Sequence, residues 1–115
     1  MHELAICRGI IDQVSAIAAD HNAQHVERIF LKIGPLSGVE PELLRFAFPI
    51  ASAQTVASDA TLVIQSLPVR VRCKSCSAES EVTINKMLCG HCGDWQTELL
   101  SGDEMLLERI ELETH

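Results

Sequence analysis

Aromatic residues make up only 3 % of this 115-residue chain, and none of them is tyrosine. Basic residues are also scarce, nine against sixteen acidic, which leaves a formal net charge of −7. Nucleic-acid binding leans on Lys and Arg to neutralise phosphates and on aromatic faces to stack bases. Both shortages argue against it, and the acidity favours cationic ligands such as metal ions, or protein partners. No apolar run approaches the roughly 18–20 residues needed to span a bilayer. The first residues lack a basic stretch followed by an apolar core and a cleavage site, so no export signal is expected and the expected location is the cytoplasm. Catalytic signatures are missing too. There is no Gly-x-Ser-x-Gly, no phosphate-cradling glycine loop and no His-Glu-x-x-His, so enzymatic activity is not expected.

What the chain does have is cysteine in a pattern. Four of its five cysteines read Cys73-Lys74-Ser75-Cys76 and, after twelve residues, Cys89-Gly90-His91-Cys92. Each CxxC unit offers two thiolates from one tight turn, and two such units complete a tetrahedron around zinc. A closed four-thiolate site has no open position for water or substrate, so it stabilises a fold and does not run a reaction. A redox dithiol needs only one CxxC and a thioredoxin-like βαβ frame, which this chain lacks. A rubredoxin-like iron site is a third reading of the same thiolates. His91, inside the second unit, reads as a solvent-exposed turn residue. The fifth cysteine, Cys7, lies on an apolar helical stripe and reads as a core residue.

Leu4, Cys7, Ile10, Ile11, Val14, Ile17 and Ala18 recur at helical spacing and predict a first helix over roughly residues 3–20, ended by Asp20-His21-Asn22. Val26 to Ile33 alternates as a strand, with Ile29, Leu31 and Ile33 on one face and Arg28, Phe30 and Lys32 on the other. Pro41 suits the first position of a second helix, which makes Glu40 its cap, and Pro49 is expected to kink or end it. Thr61 to Leu67 predicts a second strand. Met105 to Glu113 predicts a third, with Leu106, Ile110 and Leu112 on one face. The order is α-β-α-β, a zinc insert, then β. The expected fold class is therefore α+β, two helices packed on a three-stranded sheet with a small inserted zinc lobe. The expected domains are 1–68, completed by the strand at 101–115, and a zinc lobe at 69–100 whose core the metal replaces.

Met1-His2-Glu3 carries the other chemical possibility. A terminal α-amine, the next backbone amide nitrogen and an imidazole at position 2 can close fused chelate rings on one ion. Nitrogen donors in a plane suit nickel(II) or copper(II). The competing reading is a frayed terminus with a helix-favouring acid in the first turn.

Three segments occur together in this order: Met1-His2-Glu3-Leu4, the run Leu31-Lys32-Ile33-Gly34-Pro35-Leu36-Ser37-Gly38-Val39-Glu40, and the two CxxC units. The combination resembles the HypA/HybF family, the nickel-delivery proteins of [NiFe]-hydrogenase maturation, and the likeness extends to the final Met105-Leu106-Leu107-Glu108-Arg109-Ile110-Glu111. The resemblance implies a nickel-binding α+β domain with an inserted zinc lobe. It implies nickel bound at His2 with neighbouring backbone nitrogens, the Met1 amine among the candidates. Glu3 is implied in metal specificity and partner contact, and Glu40 in nickel binding. Zinc is implied at Cys73, Cys76, Cys89 and Cys92. The implied partners are a HypB-type GTPase, the hydrogenase large-subunit precursor and, for some members, urease maturation proteins. The rival from another class is a zinc-ribbon module for protein interaction or nucleic acid, against which acidity and the shortage of aromatics both count.

Overall fold

The computed structural model describes residues 2–113. The elements follow the order α1 (His2–Asp20), β1 (His25–Ile33), α2 (Pro41–Ser52), β2 (Thr61–Ser66), β3 (Val69–Cys73), β4 (Glu79–Val82), β5 (Thr97–Ser101) and β6 (Met105–Glu113). The strands form two three-stranded sheets, one ordered β2-β1-β6 and the other β4-β3-β5. The first sheet is the one expected from sequence. The second lies within the cysteine-bearing segment, where the sequence reading places the ligands but assigns no strands.

Two compact units result. The first comprises residues 2–31, 40–65 and 106–113, and the second Lys32–Val39 and Ser66–Met105. Lys32–Val39 goes with the cysteine-bearing unit because its main chain is bonded there. Gly34 donates to the Glu104 carbonyl at 2.9 Å, Leu36 to Gly102 at 2.8 Å, and Leu67 donates back to Ile33 at 3.0 Å.

In the first unit, α1 buries Cys7, Ile10, Ile11, Val14 and Ala18. Those positions are the stripe that 3.6-residue periodicity puts on one face. The helix ends in a Schellman arrangement: Asn22 adopts φ 54°, Ala23 N–H reaches the Ala18 carbonyl at 2.9 Å, and Asn22 N–H the Ala19 carbonyl at 3.2 Å. Asn tolerates this left-handed geometry better than most residues, and the two bonds satisfy carbonyls the last turn leaves free. Central strand β1 buries Ile29, Leu31 and Ile33 in alternation. On its other face Arg28 pairs with Glu111 of β6, and the Arg109 guanidinium lies 4.1 Å from the centre of the Phe30 ring. Each fully buried Ile, Leu or Val contributes about 1.5–3 kcal/mol.

Helix α2 starts at Pro41, which needs no N–H there. It buries Leu44 and Phe48 and packs on α1, where the fully buried Cys7 thiol donates to the Leu44 carbonyl at 3.5 Å. Of the two effects expected of Pro49, ending the helix does not occur: α2 runs on to Ser52 with Pro49 inside it. Pro49 sits on the exposed face, one turn from the end, where it cannot donate to the carbonyl of Arg45, itself an exposed residue. That same face exposes Leu43, Phe46 and Ile50. In β6, Leu106 is exposed instead of sharing the inward face with Ile110 and Leu112. Among the described residues no helix is long and apolar enough to cross a membrane.

Candidate metal centre

The cysteine site is assembled by the second sheet. β3 alternates, burying Val69, Val71 and Cys73 and turning Arg70 and Arg72 outward. It pairs antiparallel with β4 in the register Arg70↔Glu81 and Arg72↔Glu79, so opposite charges face one another across the strands. The Arg72–Glu79 pair closes at 2.8 Å. The first CxxC unit is the turn of this β3–β4 hairpin, and the second lies in the connection from β4 to β5.

The two units have the same backbone construction. Cys73 N–H donates to the Ala78 carbonyl at 2.9 Å and Cys89 N–H to the Asp94 carbonyl at 2.9 Å. Ser77 N–H returns to Cys73 at 3.0 Å and Gly93 N–H to Cys89 at 2.9 Å. Ser77 at φ 64° and Gly93 at φ 78° close the equivalent turns in left-handed geometry. Within each knuckle the first sulfur accepts two backbone N–H groups. Cys73 Sγ takes those of Ser75 at 3.3 Å and Cys76 at 3.4 Å, and Cys89 Sγ takes those of His91 and Cys92, each at 3.3 Å.

All four sulfurs lie within 4.8 Å of one another. Cys73 Sγ is 3.6 Å from Cys92 Sγ, and Cys76 Sγ is 3.6 Å from Cys89 Sγ. A tetrahedron with zinc–sulfur bonds of ~2.3 Å has edges of about 3.8 Å, so these separations fit the ion. The electrostatics favour thiolates at the buried pair. The Cys92 N–H, then that of His91, helps bring the Cys89 thiol down to about 6, and the Cys76 N–H leads in lowering Cys73. Cys76 and Cys92 also accept N–H bonds, from Ala78 and Asp94. Neighbouring sulfurs and lost solvation outweigh those bonds and push both thiols up, Cys92 to about 12. A dication relieves that competition, because all four can then coordinate as thiolates.

Residues around the sulfurs that sequence reasoning missed complete the centre. The Ser75 hydroxyl donates to the Asp94 carboxylate, and Asp94 Oδ1 accepts the Gln96 N–H at 3.1 Å. The Ser75 hydroxyl, followed by the Gln96 N–H, holds the Asp94 carboxyl below its ordinary range. Ser80 of β4 accepts the Gly90 N–H at 3.0 Å. An Asp directly after Cys-Gly-His-Cys-Gly was the available signal, since Asp commonly bonds the backbone two residues on.

The N-terminal candidates lie elsewhere in the fold. His2 is exposed and opens α1, with the half-buried Glu3 in the same first turn. Met1 lies outside the described residues, as does His115. Glu40 is exposed at the N-cap of α2, at φ −92° and ψ 112°, and makes no side-chain capping bond. His21, His25 and His91 are exposed. Among the described residues, the four cysteines are the only His, Cys, Asp or Glu side chains gathered into a metal-sized group of three or more. His2, Glu3 and Glu40 are not brought together in that way.

The sequence profile described as "Hydrogenase/urease nickel incorporation, metallochaperone, hypA" matches residues 1–112. The chain belongs to the HypA family. It is 45 % identical over 114 residues to the hydrogenase maturation factor HypA of Nitrosospira multiformis, covering 99 % of each chain. It is 38 % identical to that of Aquifex aeolicus, covering 98 % of each. The solution structure of the Ni metallochaperone HypA from Helicobacter pylori aligns over 98 % of both chains at 25 % identity, with a TM-score of 0.71. A second solution structure of a HypA protein aligns over 100 % of this chain and 98 % of its own, at 26 % identity and a TM-score of 0.76. HypA is a family of nickel metallochaperones and maturation factors for hydrogenase, with nickel as cargo. The four-cysteine cluster fits the structural zinc site.

Proposed function

We propose that this chain captures Ni(II) at its N-terminus through His2 and delivers it to the large-subunit precursor of a [NiFe]-hydrogenase. The observation that carries the proposal is the place of His2 in the fold: exposed, in the first turn of a 19-residue helix. The first four N–H groups of an α-helix have no intrahelical partner. The amide nitrogens of His2 and Glu3 can therefore turn to a metal without breaking the helix. With few side-chain donors gathered nearby, main-chain nitrogen and the Met1 amine are the natural companions of the imidazole. In this reading Glu3 flanks the ion and Glu40 assists from the start of α2.

An exposed terminal site suits transfer, since an ion caged in the interior leaves slowly. The chain works as a carrier and catalyses no reaction. Its partners in this reading are a HypB-type GTPase and the hydrogenase precursor, with urease maturation proteins as a second destination, all in the cytoplasm. The zinc lobe keeps its own fold through Cys73, Cys76, Cys89 and Cys92. Metal analysis of purified protein during a nickel titration tests this reading. A firmly held zinc and a weaker, exchangeable nickel per chain is the expected result. Nickel displacing the zinc, with no further site, would contradict it.

A further inference from the structure

We propose that Ser75 and Asp94 form a clasp that holds the two cysteine knuckles together and sets how fast zinc leaves them. The proposal rests on the zinc reading of the four cysteines and concerns residues that do not touch the metal. Ser75 stands between the ligands of the first knuckle, where its N–H is already spent on Cys73 Sγ. Asp94 is anchored to the second knuckle, because its carbonyl accepts the Cys89 N–H at 2.9 Å. The Ser75 hydroxyl and the Asp94 carboxylate then join one knuckle to the other across 19 residues of chain. A hydroxyl bonded to a carboxylate is charge-assisted and stronger than a neutral pair.

A second path runs parallel to the first. Asp94 Oδ1 accepts the Gln96 N–H at 3.1 Å, and the Gln96 carbonyl accepts the Lys74 N–H at 2.9 Å. Lys74 adjoins Ser75, so these bonds close a ring linking both knuckles outside the sulfur cluster. Its consequence is kinetic. A chelator removes zinc by detaching sulfurs one after another, and Cys76 and Cys92, one from each knuckle, are the exposed ones. While the clasp holds, a detached thiolate stays beside the ion and rebinds. Without it, the main-chain bond from Lys74 to Gln96 still ties the knuckles outside the sulfur cluster, but the first loss lets the ligands drift from the ion more readily.

The test compares wild type with Ser75→Ala, Asp94→Ala, the double variant and Ser75→Thr. Zinc per chain is measured first, then the rate of zinc transfer to an excess of a chromophoric chelator at neutral pH. Wild type is expected to start fully loaded; a zinc-free wild type would defeat the zinc reading itself, before any rate is taken. Ser75→Ala is expected to speed release ~10-fold, the scale on which partners outside the ligand shell act on metal sites. The double variant is expected to match Asp94→Ala, because either change opens the same clasp, and Ser75→Thr, which keeps the hydroxyl, to release at the wild-type rate. An unchanged rate in Ser75→Ala overturns the proposal. So do single effects that multiply in the double variant, since independent contributions to packing would behave that way. Should Asp94→Ala fold poorly, Ser75→Ala against Ser75→Thr still decides.

Discussion

A Cβ added at Gly34 would lie 2.1 Å from the carbonyl oxygen of Gly102. The two main chains touch where Lys32–Val39 crosses the turn between β5 and β6, and Gly102 itself is held at φ 116° against Val69. Gly34→Ala must therefore push backbone against backbone, which no rotamer change relieves. A loss of about 2–3 kcal/mol is expected, the upper range for overpacking. Urea unfolding followed by circular dichroism measures it, and an unchanged midpoint would contradict the crossing.

Ser77 and Gly93 occupy equivalent turns at φ 64° and φ 78°. An L side chain is strained there by roughly 1–2 kcal/mol, while glycine gives back part of that through its greater unfolded-state freedom. Ser77→Gly is expected to stabilise the zinc-loaded protein by about 0.5–1 kcal/mol, and Gly93→Ala to destabilise it by about 1 kcal/mol. Chemical unfolding at fixed zinc concentration checks both signs.

Cys76→Ala is expected to release zinc and unfold Ser66–Met105, because in so small a unit metal binding and folding are one event. The core around Val14, Ile29 and Leu44 contains none of the ligands, so amides in α1 and β1 up to Leu31 are expected to keep their protection. Hydrogen exchange reads the two units separately. Equal loss of protection in both would contradict the division.

Glu40→Gln is expected to weaken nickel binding only a few-fold, the scale of ~1 kcal/mol for an exposed charge. Glu40 makes no side-chain capping bond, so helix content is expected to stay as it is. Calorimetric titration with nickel measures the change, and an identical affinity and spectrum would remove Glu40 from the site.

How legible these features were in sequence followed from how local their causes are. The α1 stripe, the β1 alternation and the cysteine spacing each reflect one element's own periodicity or turn geometry, and each recurs in the structure. β3 carried the same kind of signal in Val69-Arg70-Val71-Arg72-Cys73, but the strand is five residues long and its alternation was subordinate to the ligand pattern. β4, Glu79-Ser80-Glu81-Val82, has almost no apolar signal. Its pairing with β3, which sets Arg70 and Arg72 opposite its two glutamates, is visible only in the structure. Whether Pro49 ends α2 or lies inside it could not be read locally, because a helix interior and an exposed last turn differ only in tertiary context. The Ser75–Asp94 bond and the Gly34–Gly102 crossing join residues 19 and 68 positions apart, and no local pattern encodes such pairs.

Nickel capture at the chain terminus is the central claim, and a short Gly-Ser extension placed before Met1 tests it most directly. The extension keeps every side chain but moves the α-amine away from His2. Amide ligation releases protons, so nickel affinity of the unextended protein is expected to rise with pH. Calorimetry and visible absorption of both proteins, with His2→Ala as the blank, give the comparison. The account predicts no nickel binding at this site in His2→Ala, and for the extended chain a weaker affinity, an altered nickel spectrum and a flatter pH dependence. Zinc content is expected to be the same in all three. Equal affinity and an identical spectrum with and without the extension would contradict coordination by the terminal nitrogens.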